Sequence, residues 1–203
     1  MINLRLDKMQ INFFDERVYS KRFMGGIFSF SNEDYIIQFQ NAFEILFKEE
    51  KWDTITQTTL PMFYLLRHYL EISFKRNIEY FQEKSDENKF EKLNLTHNIK
   101  YLYDEFLKHL NSSFDKFDLS LELQEQLKTY KENLKNLTRY IIDMDNSGFA
   151  FRYCFDNKSS NKQPPVDNKI RINLGDLIKN WEGVKTILNF SIFVYEDLIR
   201  DFS

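Results

Sequence analysis

From Ser31 to the carboxyl end, apolar residues return every three or four positions in long runs, and that period commits most of the chain to helices burying one stripe. Phe63, Leu66, Leu70, Phe74, Asn77 and Phe81 show it best. Only 5 Gly and 3 Pro among 203 residues leave too little turn material for a β-sandwich, a glycine-rich phosphate loop or a linker-like chain. The spacing predicts a helix over about 32–50, opened by Ser31 and Asp34 as a capping box. A second runs to about Lys84, starting either near Thr58 or Thr59, with Pro61 in its first turn, or near Asp53 with a kink at that proline. A third follows Thr96 as N-cap and breaks at 111–118; a fourth starts after Ser120 and ends at 146–148. A final long helix spans 176–202, with Leu177, Trp181, Val184, Leu188, Ile192, Tyr195 and Leu198 on its stripe.

Two stretches alternate with period two instead. Residues 1–30 read as short strands or an extended arm, and 149–174 as a small β-hairpin, with Phe149, Phe151, Tyr153 and Phe155 facing one way. The expected fold class is therefore mainly α, a single domain over 1–203. It is an antiparallel helical bundle of about five helices with the hairpin inserted before the last one. The N-terminal residues carry Arg5, Asp7 and Lys8 and lack a signal-peptide core, and Cys154 is the single cysteine. A cytoplasmic protein without a membrane span is expected. Its 28 basic and 31 acidic residues exert no global pull on nucleic acid, so any RNA contact must come from a local patch.

Candidate chemistry concentrates in the second helix. Arg67, Glu71 and Lys75 are spaced i, i+4, i+8 on one face, with Tyr64 and His68 beside them among strongly apolar neighbours. On an exposed face this is a weak ion-pair ladder; at a cleft or interface it is a networked site, because a charge there requires partners. His97, after the predicted cap Thr96, falls in a first turn where the helix dipole favours a neutral ring able to shuttle a proton. Arg152 in the hairpin can clamp a phosphate or salt-bridge to a helix. Asp143 and Asp145 form an Asp-x-Asp pair without further ligands, so neither a metal nor a cofactor is expected. No zinc pattern, serine elbow or dinucleotide fingerprint occurs.

The run Leu65-Leu66-Arg67-His68-Tyr69-Leu70-Glu71-Ile72-Ser73-Phe74-Lys75, followed by Thr96-His97-Asn98-Ile99 and Leu102, resembles the HEPN superfamily over about residues 55–145. That resemblance implies an antiparallel helical bundle, a Glu-x-x-x-Lys helix and a histidine opening the next helix. Many such proteins are dimeric, metal-independent ribonucleases of toxin–antitoxin, abortive-infection or other antiviral defence systems. Their catalytic signature is Arg, four to six residues, then His, and none of His68, His97 or His109 follows an arginine at that spacing. The expected site is accordingly rearranged: Arg67, His68, Glu71 and His97 catalytic, Lys75, Arg152 and Tyr64 binding. The implied partners are a second copy, RNA or a nucleotide, and an antitoxin or effector protein. The alternative is a non-catalytic structural or accessory subunit of a larger defence complex.

Overall fold

The computed structural model describes residues 32–48, 52–84, 96–146, 148, 150 and 171–202. Among them lie six helices: α1 (Asn32–Phe47), α2 (Trp52–Lys84), α3 (Ile99–Phe114), α4 (Leu121–Asp145), α5 (Leu174–Glu182) and α6 (Lys185–Phe202). The extended arm, Ser31 and most of the predicted hairpin, Arg152 and Cys154 included, fall outside the described residues; these contain no strand, and the predicted second strand does not form at 171–174, where Asn173 caps a helix that begins at Leu174.

α2 is the axis of the fold. Its 33 residues extend about 50 Å, passing through Pro61, so the earlier of the two predicted starts is the one adopted. The predicted seam from Phe63 to Phe81 is buried throughout, and Met62, Tyr69 and Ile78 are buried on other sides of the same helix. α2 packs against α1, α3, α4 and α6. A helix surrounded in this way buries charges as well as apolar groups, and Arg67, Glu71 and Arg76 are all sequestered.

Contacts along α2 give the directions of its neighbours. Arg76 pairs with Glu33 and His68 meets Phe39, so α1 runs antiparallel to α2. Glu71 meets His97, Phe74 meets Phe106, and Gln82 meets His109, so α3 runs parallel to it. A backbone bond from Ile99 N to the Asn146 carbonyl ties the start of α3 to the end of α4, making that pair antiparallel. The bundle is thus mainly helical as expected, but its successive helices are not all antiparallel. α3 starts level with Glu71 because the carbonyl and ring of His97 partner the charges buried there, a requirement that hydrophobic spacing does not encode.

Three helix boundaries also differ. Asn98, not Thr96, caps α3: its side chain accepts from Tyr101 N, while Thr96 Oγ1 accepts from Asn98 N. α3 continues to Phe114, into the first half of the predicted break, and the chain leaves the helix at Asp115. The expected last helix is two helices, interrupted at Gly183, where an added Cβ would collide with the Asn133 side chain. The two-residue interruption keeps the buried stripe in phase, so Trp181, Val184 and Leu188 remain in one core.

A polar seam joins α1, α2 and α6 inside this core. The Tyr69 hydroxyl donates to Asn189 Oδ1 at 2.6 Å, Asn189 Nδ2 donates to Gln40 Oε1, and the Asn189 carbonyl accepts from Arg76 at 3.2 Å. Asn77 Nδ2 donates to the Leu188 carbonyl at 3.0 Å. Every buried donor in this set has an acceptor, the condition under which polar groups are tolerated in a core. Among the described residues no helix is long and apolar enough to cross a membrane.

Candidate functional site

Burial decides how the Arg67 ladder is read. Arg67 and Glu71 are each 3% exposed, so the ladder is not a solvated surface feature. The Arg67 guanidinium is engaged on three sides. Nη1 donates to Glu71 Oε2 at 2.9 Å, Nη2 to the His97 carbonyl at 2.6 Å, and Nε to the Asp145 carbonyl at 3.1 Å. The Asp145 carboxylate stands 3.6 Å from Nε and accepts from Gly148 N at 2.7 Å. One side chain on α2 thereby gathers the entrance to α3 and the exit of α4.

Gly148 completes the enclosure. Its φ of +84° lies in the left-handed region, and a Cβ there would stand 2.8 Å from Arg67 Nη2 and 2.9 Å from Cζ. Only a residue without a side chain lets the backbone approach the guanidinium this closely.

Glu71 faces the other way with its second oxygen. Oε1 lies 2.7 Å from His97 Nδ1 and accepts from Lys75 Nζ at 2.8 Å. Burial works to raise the Glu71 carboxyl, but hydrogen bonds and charge from Lys75, His97 and Arg67 outweigh it and bring the pKa down to about 2. An ionised carboxylate only accepts, so Nδ1 carries the hydrogen and Nε2 is the basic nitrogen of the neutral ring. The His97 side chain is 60% exposed and that of Lys75 28%. A buried carboxylate therefore orients an accessible imidazole with an ammonium alongside, an arrangement suited to proton transfer beside a bound anion.

Of the residues predicted for the site, Arg67, Glu71, Lys75 and His97 converge. His97 sits just ahead of the N-cap instead of in a first turn, and Glu71 Oε1 orients its ring. Arg67 is closed off from any ligand and acts as a positioning group. His68 and Tyr64 stack on each other, with ring centroids 6.0 Å apart, and His68 lies edge-on to Phe39 of α1 at 4.3 Å. The structure thus places His68 against α1. Asp145 and Gly148 were not legible as members: Asp145 read as one half of an Asp-x-Asp pair, yet Asp143 is exposed and lies 3.7 Å from Arg139 instead. The Ser-Gly break after α4 was the one signal that a special backbone conformation occurs there.

Among the described residues no group of three or more His, Cys, Asp or Glu side chains is placed to hold a metal ion. Comparison of the chain with protein-family models, curated proteins and solved structures finds no match.

Proposed function

We propose that this chain is a HEPN-like subunit of a prokaryotic defence or toxin system that acts on RNA through a metal-independent site centred on His97. The observation that carries the reading is the sharing of Glu71 Oε1 by His97 Nδ1 and Lys75 Nζ. In the proposed reaction, His97 Nε2 takes the proton from a ribose 2′-hydroxyl. The 2′-oxygen then attacks the adjacent phosphorus and the bond from phosphorus to the 5′-oxygen breaks. The leaving 5′-oxygen takes a proton from a second imidazolium, supplied by His97 of a second copy in a homodimer. Lys75 stabilises the charge that builds on the phosphoryl oxygens. Glu71 and Arg67 hold the imidazole and its carbonyl in place.

Burial of Arg67 favours a second reading, because among the described residues no arginine is then left at this cleft to stabilise the transition state. On that reading the same cleft binds RNA, or an antitoxin or effector protein, without cutting.

The test is a labelled single-stranded RNA incubated with the purified chain in EDTA. Products ending in 2′,3′-cyclic phosphate, absent with a 2′-deoxy substrate, are expected from the wild type. His97→Ala should slow their formation by about 100-fold or more while leaving the melting temperature nearly unchanged, since the ring is largely exposed. Equal activity in wild type and His97→Ala refutes the catalytic reading. RNA that is bound but uncut supports the second, and RNA neither bound nor cut removes the catalytic reading and leaves the cleft only a partner protein.

A further inference from the structure

A groove of about 630 Å³ opens between α3 and α4, apart from the His97 site. Its wall is apolar, built from Tyr103, Leu107, Phe114, Phe117 and Leu127. Lys128, Lys131 and Lys135 line the same groove at successive turns of α4, with Asp115 and Asp118 from the α3–α4 connection also on its lining. Lys128 pairs with Glu125 at 3.3 Å. Among the described residues neither Lys131 nor Lys135 has a carboxylate within ion-pair distance. Lys131 is half-buried. No carboxylate of the described residues touches either ammonium, and Asp115 supports the Lys131 charge only from beyond ion-pair distance.

The geometry points to a binding site in this groove for an anionic amphiphile, with one carboxylate or similar head on Lys131 and Lys135 and an apolar body along the half-buried Tyr103, Leu107 and Phe117. The volume falls in the range of small-molecule sites, and the lining sets an apolar wall against a charged rim. The carboxylates of Asp115, Asp118 and Glu132 on the same lining disfavour a polyanion such as RNA, leaving a ligand with a single negative head as the complementary class. Burial lowers the Lys131 pKa while Asp115 draws it back up, so a bound anion adds to the support its charge already receives.

Laurate is the probe, with lauryl alcohol as its uncharged counterpart, followed by titration calorimetry on the whole chain. Laurate is expected to saturate at one per chain and to raise the melting temperature. Lys131→Gln should weaken it about tenfold, the loss of one charge-assisted contact, and Leu107→Trp should block it by filling the groove. Lys100→Gln, which removes a lysine paired with Asp104 outside the groove, should leave binding unchanged. Failure of laurate to saturate, equal affinity for the alcohol, or unchanged affinity in Lys131→Gln overturns the assignment. So does a Leu107→Trp variant that changes sedimented mass while laurate binding persists, since a second copy would then occupy the groove. None of these outcomes depends on RNA cleavage.

Discussion

Replacing Gly148 with alanine tests the enclosure of Arg67 directly. The added carbon would stand 2.8 Å from Nη2 and 2.9 Å from Cζ, so the guanidinium must shift by roughly half an ångström to restore ordinary contact. It cannot shift freely, because Glu71, the His97 carbonyl and the Asp145 carbonyl hold it at 2.9, 2.6 and 3.1 Å. Two costs follow. A φ of +84° costs alanine about 1–2 kcal/mol, and losing one charge-assisted hydrogen bond costs about 1.5–3 kcal/mol. Gly148→Ala should therefore destabilise by about 2.5–5 kcal/mol, read as a lower urea midpoint with unchanged slope. In an Arg67→Ala background the steric part disappears and only the backbone cost of about 1–2 kcal/mol remains. The double-mutant cycle should accordingly show coupling of about 2 kcal/mol. Strict additivity, or a loss below about 0.5 kcal/mol for Gly148→Ala alone, would refute this account of the enclosure.

Acid should loosen the same site. Glu71 has its carboxyl lowered from the ordinary 4.5 to about 2, so its stabilisation is complete above pH 4.5 and disappears as pH falls toward 2. The loss is at most about 3 kcal/mol, trimmed toward 2 by solvent around Lys75 and His97; Glu71→Gln should flatten that limb of a stability-against-pH curve. At the polar seam, Asn189→Ala strands the Tyr69 hydroxyl and the Gln40 amide and should cost about 2–4 kcal/mol, with Tyr69→Phe restoring part of the melting temperature in the double variant.

Stripes were the most legible layer of the sequence. The Phe63 to Phe81 seam and the one from Leu177 to Leu198 depend only on period, and both survive in the core, the second even across Gly183. The i, i+4, i+8 placement of Arg67, Glu71 and Lys75 was legible for the same reason. Their burial was not, because it arises from α3 and α4, and two of the three Arg67 acceptors are backbone carbonyls that every residue carries. The direction of α3 escaped too, since neither stripe nor cap specifies whether consecutive helices lie parallel. Asn98 was overlooked as the cap because Thr96, two residues earlier, is also a capping type. Asn189 carried no sequence signal, being one of several polar residues in α6, yet it bonds to both α1 and α2.

The three attachments of Arg67 also set an order on synthesis. Its acceptors arrive at positions 71, 97 and 145, so a nascent chain presents Glu71 at once and the His97 carbonyl later. The Asp145 carbonyl, 78 residues downstream, comes last. Until α4 has emerged and docked, the arginine lacks its third anchor and the imidazole beside it lacks a fixed mount. The centre is thus completed late in translation, and a truncated product ending before residue 145 holds every side chain of the proposed chemistry without the scaffold that aims it.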